Sequence, residues 1–267
     1  MKDDTNAETE HLPMQKKSKS TAVAAPEERY LALKGDADQV ADILRINLGD
    51  MELKWSDLNR IKVPGGDSKF WIIHGPDGES TAKKLEGIIL AHRRMRAYWE
   101  DPEPTGKPPV CKSDGSKNGV GVRWEGDDPT EYHACKPCKW NVFGSDHRGG
   151  KGKACKEMMV LFLLREQSML PDVLILPPTS INLYSKYITL ISGRGQYYHQ
   201  VITAFELQSA KNDAGQTYNI VHETSVTTLS SESMARLKTF ADMFAKDLQS
   251  VEVKPESYWE GSEAASD

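Results

Sequence analysis

Apolar residues recur along this chain in two rhythms, one helical and one strand-like, and a central stretch obeys neither. Val40, Ile43, Leu44 and Leu48 share one face of Asp36–Leu48. That spacing predicts an amphipathic helix with Asp36 or Asp38 as N-cap and Gly49 past its end. Thr179–Gly193 puts Tyr184, Tyr187, Ile188 and Ile191 on one face, with Ser180 as N-cap and Gly193 as the exit residue. Met234, Leu237, Ala241, Phe244 and Leu248 follow at spacings of three and four and predict a last helix over Ser231–Leu248. That stripe reads as core packing.

The strand-like rhythm covers the rest. Ser68–Gly75 reads as a short strand closed by the Pro76-Asp77-Gly78 turn. Lys83–Trp99 reads as a long strand in which Gly87 marks a bulge or sharp bend; a helix over Ile88–Trp99 is the competing reading. The apolar run Glu157–Arg165 suits a buried strand, and Asp172–Pro177 follows it until Pro177-Pro178 stop the chain. Tyr198–Gln208 and Gln216–Val226 flank a turn at Asn212–Gly215 and read as a hairpin. Residues 1–28 have no apolar period and are expected to be disordered. The order is strand, strand, insertion, strand, helix, strand, strand, helix. The fold expected is α+β and mainly β: a five-stranded OB-fold barrel over 29–250, with an insertion at 100–156, a C-terminal helix and an acidic disordered tail at 251–267.

Charge changes this picture by its distribution more than its sum. The net charge is -5, yet Lys136–Lys156 holds six Lys or Arg against one acid, Asp146. From Glu252 to Asp267 there are five acids against Lys254 alone. A basic face and an acidic tail are therefore separated along the chain. No apolar run reaches the roughly 20 residues of a membrane span, and the N-terminus has no signal-like apolar core. A cytoplasmic protein is expected, without membrane partners.

All four cysteines fall in the insertion: Cys111, Cys135, Cys138 and Cys155, spaced C-x23-C-x2-C-x16-C. Four thiolates suit one structural Zn2+ and leave no open position for catalysis. His133 and His147 are possible substitutes for one cysteine, with an ordinary loop histidine as the plainer reading of each. No βαβ context supports a redox role for Cys135-Lys136-Pro137-Cys138.

Cations and flat rings interleave around these cysteines, as single-stranded nucleic acid requires. Arg93, Arg94, Arg96, Tyr98 and Trp99 close the second strand, and Arg123 and Trp124 lie in the insertion. Lys136, Lys139, Trp140, Arg148, Lys151 and Lys153 surround the Cys-x-x-Cys turn, and Arg194, Tyr197 and Tyr198 sit on a Gly-flanked loop. Tyr98 and Trp99 read equally well as core aromatics, Phe143 reads as packing beneath the metal, and the lysines as a solvated face. Gly144–Lys153 fails the phosphate-loop pattern, because Gly152 stands where Ser or Thr is required.

DLNRIKVPGG, LEGIILAHRRMRAYW, CKPCKWNVFGSDHRGGKGKACK, LPPTSINLYSKYITLISGRG and the VITAFEL hairpin together resemble phage single-stranded-DNA-binding proteins with a zinc-containing OB-fold. The resemblance covers about Asp57 to Val226. It implies zinc at the four cysteines and a non-enzymatic protein that coats unpaired DNA in replication or recombination, inside a phage-infected bacterial cell. Such proteins often carry an acidic tail; here the tail reads either as an inert end or as a mimic of nucleic acid that competes for the basic groove or recruits replication or recombination proteins. One departure is that such a protein can use one His and three Cys, whereas here four Cys are available. Two rivals remain: a zinc-ribbon adaptor or transcription regulator, and a metal-dependent nuclease with Asp67, Asp77 and Asp114 as its carboxylates.

Overall fold

A computed structural model describes residues 26–34, 37–49, 51, 53–101, 107–113, 119–125, 128–147, 149–212 and 215–254. Among these residues eleven strands join into one sheet, and three α-helices pack on it. The strands are β1 (Arg60–Lys62), β2 (Trp71–Gly75), β3 (Gly78–Ala82), β4 (Leu85–Tyr98), β5 (Cys111–Ser113), β6 (Val120–Glu125), β7 (Asp128–Ala134), β8 (Lys156–Leu164), β9 (Asp172–Leu176), β10 (Val201–Lys211) and β11 (Thr217–Thr228). The helices are α1 (Ala37–Leu48), α2 (Ile181–Gly193) and α3 (Ser231–Ser250). The fold is thus mixed α+β and dominated by strands.

β4 organises the sheet. β8 runs antiparallel along one edge of it, from Ile88 opposite Leu164 to Ala97 opposite Lys156. The other edge is shared by β10, which pairs with Leu85–Ile88, and β5, which pairs with Arg96–Tyr98. From β8 the sheet continues through β9, β1, β2 and β3, with β1 parallel to β9. From β5 it continues through β6 and β7. The insertion, expected as a zinc-binding subdomain without strands of its own, therefore extends the sheet through β5, β6 and β7.

A register shift between Ile89 and Ala91 makes Leu90 a bulge. Before it Ile88 and Leu90 face the layer beneath α1 and α3; after it Ala91, Met95, Ala97 and Trp99 do. His92, Arg94, Arg96 and Tyr98 then share the opposite face, as strand alternation requires. This phase change explains why the segment showed no clean alternation, and pairing on both edges excludes the helical reading. Gly87 is not the bulge. Its role is close approach, because a Cβ there would lie 3.1 Å from the Leu164 carbonyl oxygen.

Two apolar layers enclose the middle of the sheet. Met158, Val160, Phe162 and Leu164 of β8 meet Leu237, Phe240 and Phe244 of α3 and Val40 and Leu44 of α1. Met159, Leu161 and Leu163 meet Tyr184, Tyr187 and Ile191 of α2. A strand buried on both faces reads as the unbroken apolar run seen in the sequence. The expected third strand is two strands, β8 and β9, joined through a turn in which Gln167 adopts φ +58.

The helices differ from expectation in detail. Ile43 of α1 points to solvent while Val40 and Leu44 are buried. Gly193 is the last helical residue of α2, and the left-handed exit residue is Gly195, φ +70, whose N–H bonds the Ser192 carbonyl. Ser180 does not cap α2 with its side chain; its hydroxyl accepts the Val221 N–H at 2.9 Å and ties the helix to β11. In α3 Phe240 lies in the buried stripe, while Met234 and Ala241 are only half-buried.

The expected terminal boundaries shift outward. Glu27 accepts hydrogen bonds from the Ser230 N–H and the Ser233 hydroxyl, and Arg29 pairs with Glu86 and Glu166. Val251 and Val253 are buried against the α3 layer. Packed chain thus includes residues 26–28 and 251–254, and the remainder of the expected termini lies outside the described residues. No helix among the described residues is long and apolar enough to cross a membrane.

Candidate thiol cluster and nucleic-acid interface

The sheet brings the four cysteines to one place. Cys111 opens β5 and pairs with Tyr98 of β4 and Arg123 of β6. Cys135 and Cys138 sit on a turn closed by the Cys138 N–H to the Cys135 carbonyl, and the Asn141 amide donates to that same carbonyl at 3.0 Å. Cys155 precedes β8, and its N–H donates to the Trp140 carbonyl at 2.9 Å. All four line a pocket of about 470 Å³. A Cβ built on Gly121 would lie 3.2 Å from each of Cys111 Sγ, Cys135 Sγ and His133 Nε2. Glycine at 121 therefore leaves open a small cradle ringed by three donor atoms.

Burial, followed by the neighbouring thiols, pushes Cys111 up to about 11 and Cys155 up to about 12. Burial also pushes Cys135 up. Among the described residues no three His, Cys, Asp or Glu side chains stand at metal-holding geometry. The pocket nevertheless gathers five soft or borderline donors, the four thiols and His133. His133 Nε2 is 3.5 Å from Cys111 Sγ, and its Nδ1 is buried without a partner. Reading His133 as an ordinary loop residue missed this, since only the β6–β7 register turns it inward. His147 lies elsewhere, hydrogen-bonded to the Tyr98 hydroxyl at 3.1 Å.

The sixteen cationic and aromatic candidates divide by face. Tyr98 is buried and stacks on Trp140 with centroids 5.0 Å apart, forming a small core with Ala154 and Cys155. Trp99 is buried in the α3 layer and donates to the Lys107 carbonyl. Arg93 lies over Phe162 on that same side and donates to the Val251 carbonyl. These residues hold structure together. Arg94 and Arg96 share Glu157, and Arg123 lines the thiol pocket. Lys112 covers the Trp124 ring at 4.6 Å. Lys136, Lys139 and Lys151 are exposed, with Lys139 over Trp140. Arg194 and Tyr197 are exposed beyond α2, and half-buried Tyr198 packs on His92. Arg148 lies outside the described residues.

A groove of about 700 Å³ runs between the insertion and α2. Arg94, Lys153, Lys156 and Glu157 line it, together with the apolar residues Val63, Pro64, Pro177 and Ile181. Tyr218 and Asn219 close it from β11. Asn219 fixes that end: its amide donates to the Pro64 and Ser68 carbonyls, and Lys69 donates to its oxygen. Phe143, expected to pack under the metal, is 78% exposed at the rim with Lys153 4.9 Å from its ring centroid. Lys156 was not singled out from the sequence; it is held by Asp146 at 2.7 Å. No family model, curated protein or solved structure matches this chain.

Proposed function

We propose that this protein binds single-stranded DNA without strong sequence preference and coats unpaired strands in phage replication or recombination. The observation that carries the reading is the groove, whose lining combines three cations, Arg94, Lys153 and Lys156, and the acid Glu157 with the apolar residues Val63, Pro64, Pro177 and Ile181. Cations neutralise phosphates and the apolar residues accept unstacked bases. Phe143 offers an exposed ring at the entrance, with Lys153 over it. The role requires no catalysis, and the protein is read as non-enzymatic.

The strand order supports an OB-fold origin for this groove. β4, β8, β9, β10 and β11, with α2 between β9 and β10, follow the OB order, with β1 lying on the edge of β9. OB-folds bind oligonucleotides on the face of strands two and three, between the loops joining strands one to two and four to five. Here those places are the start of β8 with Pro177 after β9, the cysteine insertion, and the start of β11. All of them line the groove.

One structural zinc ion fits the donor set of the insertion. Cys111, Cys135, Cys138 and Cys155 would hold it, with His133 the alternative fourth ligand. A four-coordinate ion supplies cross-linking of a polar segment rather than reactivity. Replication or recombination proteins are the partners expected for the acidic C-terminal residues, and the host cytoplasm is the expected compartment.

Fluorescence anisotropy with labelled dT oligomers and matched duplex, over a range of salt, tests the reading. Single strands are expected to bind well above duplex, with log K falling by about 0.7 per neutralised phosphate per decade of salt. Lys153→Glu with Lys156→Glu is expected to weaken binding at least about tenfold and flatten that slope. Equal affinity for duplex, or indifference to both substitutions, overturns it.

A further inference from the structure

We infer a second contact surface for the same strand, along the exposed face of α2 and ending on the ring pair Tyr197–His199; it rests on the DNA-binding reading of the groove. The groove already touches the first turns of α2 through Ile181, Asn182 and Ser185. From there Asn182, Lys186, Thr189 and Gly193 follow one another along the solvent side of the helix. That row is about 17 Å long at 1.5 Å per residue. It leads to Arg194 and then to Tyr197, which is 65% exposed. Tyr197 stacks on His199 with centroids 5.3 Å apart and planes 12° from parallel. The neighbour fixes the ring's orientation and leaves its other face free for a base.

Charge marks the same track. Val173 to Phe205 contains no Asp or Glu, although the chain holds 39 in 267 residues. At that density about five acids would fall in such a span. Lys186 and Arg194 have no ion-pair partner among the described residues, whereas Arg94 and Lys156 at the groove are each held by a carboxylate. Unpaired cations on a segment without acids attract a phosphate backbone without first breaking an internal salt bridge. A strand leaving the groove along α2 thus meets a hydroxyl- and amide-rich ridge, two free cations and a terminal stacking platform.

Oligomer length separates this surface from the groove. The full chain is titrated with dT oligomers of about 4 and about 16 nucleotides, the span of site sizes known for OB-folds. The long oligomer reaches the platform and the short one is satisfied by the groove. Tyr197→Ala is expected to weaken the long oligomer about fivefold or more while leaving the short one unchanged. Lys186→Glu is expected to do the same and to reduce the salt slope of the long oligomer by about 0.7. Both positions are exposed, so thermal melts should match the parent. If both variants bind the long oligomer like the parent while Lys153→Glu weakens it, the α2 track is wrong and the groove stands. If the parent binds neither oligomer, the groove reading fails and this surface fails with it.

Discussion

Glu223 sits 5% exposed in β11, and neither carboxylate oxygen has a side-chain partner. Burial pushes it up to about 8 against a slight opposing pull from its own amide. Tyr184 and Tyr187, beside it, are pushed up by burial and further by the Glu223 charge. The folded chain therefore holds a proton that the unfolded chain releases near the ordinary carboxylate value. Stability is full below about pH 4.5, declines by about 1 kcal/mol per pH unit, and levels off above about pH 8. Glu223→Gln is expected to remove that slope. Urea unfolding at pH 5, 7 and 9 checks it: the variant should match the parent at pH 5 and exceed it increasingly at pH 7 and 9.

At the scale of elements, the insertion rests on the smallest apolar cluster among the described residues. β5, β6 and β7 hold only short pairings, and their apolar support is Tyr98, Trp140, Ala154 and two cysteines. So small a core does not stabilise three strands alone. Elemental analysis of the purified chain is expected to give one zinc per chain. Chelation is expected to quench or shift Trp124 and Trp140 fluorescence and to open this region to protease, while the α2 and α3 layers persist. Retained protection after chelation would remove zinc from the account.

Legibility followed the same divide between elements. α1, α2 and α3 were readable because each buries one face, and β8 because it is buried on both. β3, β5 and β7 were not, because they are short or polar and gain strand form only from a neighbour's open edge. The cysteines were legible from spacing alone. The exposure of Phe143, the inward turn of His133 and the place of Lys156 depend on how the insertion crosses the sheet, which local spacing does not encode.

Across the molecule, the first and last described segments meet the core on the same layer. Glu27 is bonded to the start of α3, and Val251 and Val253 close over its end. Lys112 of β5 also pairs with Glu252. Residues 251–254 are thus anchored beside the insertion. Truncation after Lys254 is expected to leave thermal stability unchanged. Truncation after Ser250 is expected to cost about 3 kcal/mol or more, from two buried valines at roughly 1.5 kcal/mol each. Differential scanning calorimetry of the two truncations distinguishes a packed anchor from a dispensable tail.

The bulge at Leu90 has a consequence for how this chain can vary. β4 is one wall with two tenants, hydrocarbon on one side and arginines on the other, and a single surplus residue sets which side each occupies. Were Leu90 to enter the ladder as an ordinary strand residue, everything downstream would change sides and Arg94 and Arg96 would be driven beneath α3; deleting it would make Ile89 and Ala91 consecutive and leave both faces as they are. Length at that point is therefore constrained in one direction: losing the surplus residue keeps the two faces, whereas gaining another without a bulge of its own would exchange them.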